Sequence, residues 1–439
     1  MFAMLRYSTI AKLHTQFRRT YMWVRMKRIV LLSVVVFMAS LNSQAEALSI
    51  EQAVSIALKN DPVLVSFQDK EQAFREASIA ASALPDPNVK LGFMNFPTDT
   101  YKRNQEPMTQ VQLGISQMFP AGDSLDIKAS RKIDFANAEM AKAKNQQRLI
   151  KRQTRKAWLE LFYWNQAIAV VKENRILFKN LVNVTGSNYA AGRQHQQDVI
   201  RAELELELLA DKEMDILASI KKSRAKLSKL IGDEMSMRPL ARTLPHLNED
   251  IDFRNVEKIN SHPMLQAQNA MVAASNNGVA LAKQSYKPSW MVDLTYGMRD
   301  DAANGTERAD FLSAMVKFSV PLFTGNLQDR KVAASKRRHH ASLNNLEDKK
   351  RQLVQMYQSN LSDYEQFSNR SLRYKKVLLV KAHENAEVAL SRYQSDRGKF
   401  TDLIRARMTE LNMQLKALRL EINQHKSYSD LTYLVGEQS

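Results

Sequence analysis

Residues 88–96, NVKLGFMNF, and residues 110–119, QVQLGISQMF, alternate apolar and polar side chains along their length. Because successive side chains of a strand point to opposite faces, each segment predicts a strand that is apolar on one face and polar on the other. Each segment is about 9–10 residues long, which is the length that a tilted strand needs to cross a bilayer. The pair alone would equally fit a half-buried hairpin of a water-soluble protein.

The same pattern returns 201 residues later, in residues 289–298, SWMVDLTYGM, and residues 311–320, FLSAMVKFSV. Flanking prolines repeat at the same offset, since Pro87 matches Pro288 and Pro120 matches Pro321. A repeat this regular predicts an internal duplication. We expect a leader at 1–47, a first repeat at 48–246 and a second repeat at 247–439.

Odd-numbered residues of the first two strands and even-numbered residues of the last two form the apolar face. If the strands cross a membrane, this face contacts lipid and the polar face lines the lumen. The predicted lipid-facing residues are Val89, Leu91, Phe93, Val111, Leu113, Ile115, Trp290, Val292, Leu294, Val316 and Phe318.

The N-terminal segment has the layout of a secretory signal peptide at about 26–47. Met26-Lys27-Arg28 gives a basic start, residues 29–41 an apolar core, and Ala45-Glu46-Ala47 a cleavage site of small residues. We expect Met26 to be the true start, and a cytoplasmic arm that begins at Met1 is the alternative. The chain has no cysteine, which excludes disulfides and a lipid-modified cysteine.

The formal net charge of +18 would suggest a nucleic-acid partner in a cytoplasmic helical protein. No nucleic-acid-binding motif accompanies the charge, and an exported protein does not meet nucleic acid. A basic helical nucleic-acid-binding protein remains the alternative if the leader is not cleaved. We predict no nucleic-acid partner.

Long helical segments follow each strand pair. Residues 125–189 contain no proline and a single glycine, and apolar residues recur in them at steps of three and four. At 1.5 Å per residue the predicted helix is roughly 95 Å long, which indicates a coiled coil or a tube. After a break near Gly192, residues 198–230 repeat the spacing, so the two arms are expected to pack as an antiparallel coiled coil. The second repeat predicts an unbroken helix over 327–393 and a return helix over 402–435.

These patterns predict an α+β membrane protein with long coiled-coil hairpins, which form an α-barrel, and four transmembrane β-strands per chain. Four strands cannot close a barrel, and an open sheet edge is not tolerated in lipid. Three copies would supply twelve strands, an even number within the range of outer membrane barrels. We therefore predict a homotrimer in the outer membrane of a Gram-negative bacterium, in contact with outer membrane lipid and extending into the periplasm.

The duplicated order of helix, two strands, long helix, turn and return helix resembles the TolC-type outer membrane efflux family over residues 48–439. The segments NYAAGRQHQQDVIRAE (188–203) and RYQSDRGKFTDLIRAR (392–407) are similar to the helical tips of that family. The resemblance implies that these tips end the periplasmic tunnel, meet a periplasmic adaptor and form the gate. The implied residues are Tyr189, Gly192, Arg193, Asp198, Tyr393, Arg397, Gly398 and Asp402.

The two tips differ in the place of their glycine. When the tips are aligned by their tyrosine and aspartate residues, Gly192 lies opposite Asp396, and Gly398 sits two places later. We therefore expect the second tip to turn differently. Simpler roles stay open, because the glycines could supply turn geometry alone and Asp198 and Asp402 could cap the return helices.

The resemblance implies a passive conduit for cargo that an inner-membrane pump delivers through a periplasmic adaptor. Residues 83–97 and 105–123 resemble more specifically the heavy-metal branch that works with pumps of the resistance-nodulation-division (RND) type. Heavy-metal cations are therefore the expected cargo, and drugs or secreted polypeptides are the alternatives. A soluble periplasmic coiled-coil adaptor is the alternative of another class.

Other residues carry no predicted chemistry. The chain lacks the H-E-x-x-H, G-x-S-x-G, P-loop and G-x-G-x-x-G motifs, so no enzyme activity and no cofactor are predicted. His339 and His340 are adjacent on a helix and do not share a face, and the twenty methionines are dispersed, as core-filling residues would be. No metal site is predicted, and the aromatic residues from Trp158 to Trp164 are expected to pack between helices.

Overall fold

The computed structural model describes residues 47–193, 195–247, 253 and 255–436. The predicted signal peptide and the residues before it lie outside the described residues, apart from Ala47. Within the described ranges, no helix is both long enough and apolar enough to cross a membrane.

Each repeat begins with helical segments, continues with two strands and ends with a long helical hairpin. The first repeat contains α1 (Ile50–Asn60), α2 (Pro62–Ser82), β1 (Asn88–Met94), β2 (Gln110–Phe119), α3 (Ser124–Ala190), α4 (Gln196–Ile231) and the short α5 (Asp233–Ser236). The second contains a 3-10 turn (Val256–Ser261), α6 (Pro263–Gln284), β3 (Trp290–Met298), β4 (Phe311–Phe318), α7 (Gln328–Arg373), a π-helical turn (Tyr374–Leu378), α8 (Leu379–Gln394) and α9 (Phe400–Val435).

Short polar sequences set the starts of the first helices. Ser49 caps α1 by accepting a hydrogen bond from the backbone N–H of Gln52, whose side chain accepts one in return from Ser49 N. Asp61 ends α1 and caps α2, because its carboxylate accepts from Leu64 N at 2.6 Å and Pro62 occupies the first helical position.

The long arms of the two hairpins have the same length but not the same regularity. In the first repeat α3 is one continuous helix of 67 residues. The predicted helix over 327–393 is helical without a gap from Gln328 to Gln394, and a π-helical turn at Tyr374–Leu378, which the sequence did not predict, joins α7 to α8. The residues between 328 and 394 include neither proline nor glycine, so the widened turn comes from a shift of backbone hydrogen bonds and not from a helix-breaking residue.

The four strands form one antiparallel sheet in the order β1-β2-β3-β4. Leu91 lies opposite Leu113, Leu113 lies opposite Tyr296, and Val292 lies opposite Val316. β1 ends at Met94 because Asn95 has a φ of 55°, a left-handed conformation that leaves the strand. The contact between β2 and β3 joins the two repeats within one chain.

The main core runs along α3 and α4 from the helices at the start of the chain and extends to residues of α8 and α9, such as Tyr393 and Phe400. Trp158 is fully buried, its ring stacks on Phe162 at a centroid distance of 5.2 Å, and its indole N–H donates to Leu48 O at 3.0 Å. Tyr163 and Trp164 meet edge to face at 4.8 Å. The aromatic residues of α3 thus pack between helices, in agreement with the prediction.

Candidate functional site: the helical tips and the apolar sheet face

The first helical tip joins α3 to α4 through a left-handed residue. Gly192 has a φ of 71°; its N–H donates to Tyr189 O at 2.9 Å, and Arg193 N–H donates to Asn188 O at 2.9 Å. These two bonds form a Schellman motif, in which a glycine commonly ends the helix because it lacks a Cβ. Turn geometry is therefore one role of Gly192.

The second tip makes the same turn with an aspartate. Asp396 has a φ of 56°; its N–H donates to Tyr393 O at 3.2 Å, and Arg397 N–H donates to Arg392 O at 2.9 Å. The expectation that the second tip turns differently is therefore wrong. Aspartate is among the few non-glycine residues that adopt the left-handed region at modest cost, so it replaces Gly192 without changing the motif.

Gly398 has a different role from Gly192. A Cβ at this position would lie 3.0 Å from Arg392 Cβ and 3.1 Å from Tyr393 N, which is closer than side chains normally pack. Gly398 thus allows the start of the return segment to lie directly against the end of α8.

The two tip tyrosines have opposite environments. Tyr189 is 46% exposed, whereas Tyr393 is 2% exposed and packs against Phe400 at a ring-centroid distance of 5.5 Å. The sequence explains the difference, since Gln196 occupies in the first tip the place that Phe400 has in the second. The Tyr393 hydroxyl is buried without a hydrogen-bond partner among the described residues.

Of the charged tip residues, Arg193, Arg397 and Asp402 are exposed and Asp198 is half-buried. Neither Arg193 nor Arg397 forms an ion pair within the part of the chain that the structure describes. Asp198 and Asp402 stand in the first turns of α4 and α9, where a negative charge favours the helix dipole. Neither is the N-cap of its helix, so the alternative role as a cap is wrong.

A cluster of charged residues surrounds the buried Arg407 and Glu410 further along the second hairpin. Arg407 donates to Glu387 at 2.8 Å and to Glu410 at 2.9 Å, and Glu410 also contacts His383 Nδ1 at 2.6 Å. The hydrogen bond with Glu410 raises the pKa of His383 above its usual value. The sequence reasoning missed this cluster, although the spacing of Arg407 and Glu410 by three on one helix was a visible signal.

The first hairpin has no equivalent cluster. At the offset of 204 residues that relates the hairpins, Lys179, Asn183, Glu203 and Leu206 take the places of His383, Glu387, Arg407 and Glu410. The two hairpins are therefore similar in backbone and different in the chemistry of their interior.

The strand register places the predicted apolar residues on one face of the sheet. Partners directly across the strands have the same character, such as Val89 with Ile115, Ile115 with Leu294, and Leu294 with Ala314. Phe119 and Trp290 stack at 4.2 Å at the end of the sheet near the helices. All eleven predicted lipid-facing residues share this face, and ten of them are exposed; Val111 is half-buried.

The opposite face carries polar and charged groups. Lys90 Nζ lies 2.9 and 3.0 Å from the two carboxylate oxygens of Asp293, which also accepts from Thr295 Oγ1 at 2.8 Å. One apolar face and one polar face with a paired charge are the alternation that strands of transmembrane barrels also have.

Comparison with protein families identifies the second repeat directly, because residues 256–437 match the model of the outer membrane efflux proteins. The second repeat is therefore similar to the outer membrane efflux proteins. This match confirms the predicted resemblance to TolC-type channels and, with it, the predicted outer membrane location with extension into the periplasm. A search of curated proteins gives no match.

Solved structures of outer membrane channels share the fold over most of this chain. A membrane protein from Pseudomonas aeruginosa superposes with a TM-score of 0.78 at 15% identity, covering 88% of this chain and 92% of the other. The outer-membrane channel OprN gives 0.76 at 16% identity, covering 88% and 89%. CusC, described as forming a transmembrane channel, gives 0.76 at 13% identity, covering 89% and 92%. At these identities the likeness concerns the fold.

Proposed function

We propose that three copies of this chain form a passive outer membrane conduit for efflux, with a twelve-stranded barrel set on a periplasmic helical tunnel. The sheet is the main support for this proposal, because all four strands present apolar side chains on one face. Within the described chain, β1 and β4 are the outer strands of the sheet and each has a neighbour on one side only. Unpaired backbone groups in hydrocarbon cost several kcal/mol each, so the sheet needs further strands to close.

In this conduit the apolar face contacts lipid and the polar face lines the lumen. The repeats 48–246 and 247–439 each contribute one hairpin to the barrel and one helical hairpin to the tunnel. A positive charge on the lipid face near the bilayer centre costs about 2–4 kcal/mol, and the lumen face tolerates it.

The matched variants Leu113→Lys and Gln112→Lys test which face meets lipid. Leu113→Lys is expected to reduce the amount of assembled protein in the outer membrane, while Gln112→Lys leaves it unchanged. Val316→Lys, compared with the native Lys317 beside it, repeats the test in the second hairpin. Equal assembly of all variants would contradict the assignment of the faces.

The helical tips are the proposed gate and adaptor contact, with Tyr189, Gly192, Arg193 and Asp198 in one tip and Tyr393, Arg397, Gly398 and Asp402 in the other. The exposed Arg193 and Arg397 support this role, since exposed arginines at a turn have little structural purpose in a single chain. Neutralising both by Arg193→Gln and Arg397→Gln is expected to raise the resting conductance in planar bilayers or to impair export with the pump. Unchanged conductance together with unchanged export would contradict the role.

The proposed cargo is heavy-metal cations, delivered by an RND-type inner-membrane pump through a periplasmic adaptor. The likeness of residues 83–97 and 105–123 to the heavy-metal branch supports this cargo. A conduit needs no tight cargo site, because tight binding slows passage.

Growth of a deletion strain on copper, silver, zinc, cobalt and cadmium, beside dyes and antibiotics, tests the cargo. We expect selective sensitivity to metals that the intact gene restores. Sensitivity to dyes and antibiotics alone would show that the cargo is organic molecules, and it would not contradict the proposed conduit.

A further inference from the structure

The internal duplication offers a template for the contact between two copies of the chain. Within one chain, β2 of the first repeat pairs with β3 of the second. In a closed ring of three copies, β4 of the second repeat meets β1 of the next copy's first repeat. β4 corresponds to β2 and β1 corresponds to β3 at the offset of 201 residues. The contact between copies therefore repeats, in quasi-equivalent form, a contact that the structure contains.

We infer that β4 pairs with β1 of a second copy in the antiparallel register that β2 makes with β3. In the chain, Gln117 lies opposite Val292 and Ile115 lies opposite Leu294. Moving each strand by the offset places Phe318 opposite Leu91 of the partner subunit and Val316 opposite Phe93 of the partner subunit. This inference rests on the proposed trimeric barrel and deepens it by naming the partner residues.

The side chains of the two edge strands fit this register. It joins apolar to apolar residues on the lipid face, with Val320 opposite Val89 of the partner subunit beyond the end of β4. On the polar face it places Lys317 opposite Gly92 of the partner subunit. The apolar face then continues without interruption from one copy to the next, as a closed barrel requires.

Glycines on the polar face give an independent argument. A Cβ at Gly114 would lie 2.5 Å from Lys90 Cε, and one at Gly297 would lie 1.9 Å from the side-chain oxygen of Gln110, so a long polar side chain covers each glycine. Gly92, on the edge strand β1, is uncovered, since a Cβ there would meet only Gln112 Cβ at 3.9 Å. The inferred register covers it with Lys317, which repeats the pairing of Lys90 with Gly114.

The two β-hairpins, β1-β2 and β3-β4, show by how many residues the register of equivalent strand pairs can differ. Leu91 lies opposite Leu113, whereas the equivalent Val292 lies opposite Val316, two residues beyond the equivalent of Leu113. A shift of two residues keeps each side chain on its face. It would, however, place Met315 or Ser319 opposite Gly92, and neither has the reach of lysine. The neighbouring registers are thus the competitors that a test must separate.

Disulfide cross-linking in outer membranes separates these registers, and the cysteine-free chain needs no background substitutions. The variant Leu91→Cys with Phe318→Cys is expected to form covalent dimers and trimers on oxidation. Residues directly opposite in an antiparallel pair have Cα atoms about 4.5–5.5 Å apart, which suits a disulfide. Within one chain the two positions lie three strand spacings apart, about 14 Å, so the bond cannot close inside a chain.

Phe318→Cys is combined with Val89→Cys, Leu91→Cys or Phe93→Cys to compare the three registers. Phe318→Cys with Gly92→Cys controls for the face, and Leu91→Cys with Leu113→Cys gives an internal bond that reports correct folding. The inference predicts that the pair with Leu91→Cys gives the strongest covalent trimer and that the Gly92→Cys pair gives none.

Stronger cross-linking with Val89→Cys or Phe93→Cys would overturn the register and leave the trimer standing. Absence of any cross-link between copies in a protein whose native mass is that of three chains would also overturn the register. The same absence in a protein of single-chain mass, with the internal bond formed, would overturn the proposed trimer as well.

Discussion

The two helical tips have the same backbone turn and different anchoring. Each ends its outgoing helix in a Schellman motif with a left-handed residue, Gly192 in the first and Asp396 in the second. The first tip leaves Tyr189 exposed, whereas the second buries Tyr393 against Phe400. Backbone geometry is therefore shared between the repeats, and the side chains decide how firmly each tip is held.

The difference continues into the hairpins. In the second hairpin the buried Arg407 pairs with the buried Glu410 and with the exposed Glu387, while the first has Glu203, Leu206 and Asn183 at the equivalent places. Removing one partner of a buried charged group is strongly destabilising, because the other charge is left uncompensated. The second hairpin thus has an aromatic contact at its tip and an ionic contact around Arg407 that the first does not repeat at the equivalent positions. The ion pairs of the first hairpin lie elsewhere, where Arg175 and Lys172 contact Glu213.

The largest effect is expected for the tip tyrosines. Tyr393→Ala removes a buried aromatic ring, and such truncations cost about 3–5 kcal/mol. Amide hydrogen exchange of residues near 388–404 should therefore become faster by about a hundredfold or more. Tyr189→Ala, at the exposed equivalent position, should change exchange at the first tip by less than about threefold.

The variant Tyr393→Phe serves as a control for the buried hydroxyl. Because that hydroxyl has no hydrogen-bond partner within the described residues, its removal leaves nothing unsatisfied and the second tip should stay as protected as in the native protein. Equal acceleration in Tyr393→Ala and Tyr189→Ala would show that the two tips are not held differently.

An intermediate effect is expected for the left-handed residues. Gly192→Ala forces a Cβ into a conformation that costs about 1–2 kcal/mol for ordinary L-residues, so the first tip should be cleaved faster in limited proteolysis. Gly192→Asp, which places at the first tip the residue that the second tip has, should destabilise the tip less, since aspartate tolerates the left-handed region of φ and ψ. If Gly192→Ala and Gly192→Asp are cleaved at the same rate, the positive φ at position 192 is not the reason that a glycine stands there.

The smallest effect is expected from pH. The pKa of His383 is raised by its hydrogen bond to Glu410, with Glu387 also raising it and Arg407 lowering it. Protonated His383 therefore stabilises the second hairpin fully below the unfolded pKa of about 6.5, and this contribution is lost as pH rises through the raised pKa. Hydrogen exchange, corrected for its intrinsic rate, should show more protection of α8 at pH 6 than at pH 8.

His383→Gln is the matched variant for this pH effect and should remove the difference between the two pH values. The first hairpin has Lys179 at the equivalent position and should show no such difference. If the pH dependence persists in His383→Gln, it comes from another titratable group.

Much of the fold follows from periodicity in the sequence. The alternation in the four strand segments predicts which residues share the apolar face. Because every second side chain of a strand points to the same face, the apolar residues of each strand can only lie together on one face. The unbroken spacing from 125 to 189 predicts the long helix α3, which the structure shows from Ser124 to Ala190. These features are repeated along the chain, so errors at single positions do not obscure them.

The features that sequence reasoning missed depend on single positions and on contacts between distant segments. Asp396 was read as a departure from the glycine of the first tip, although aspartate can adopt the same left-handed conformation. The π-helical turn has no proline or glycine to mark it. The role of Gly398 comes from the close approach of Arg392 and Tyr393, which is visible only once the turn is formed.

The number of chains in the native particle decides whether the barrel is built from three copies. Native mass spectrometry of the protein extracted from outer membranes in mild detergent measures this number without any variant. We expect a particle of three chains, in which twelve strands close one barrel. A particle of one chain in the membrane fraction would contradict this expectation, because four strands with two outer edges would then have to persist in lipid.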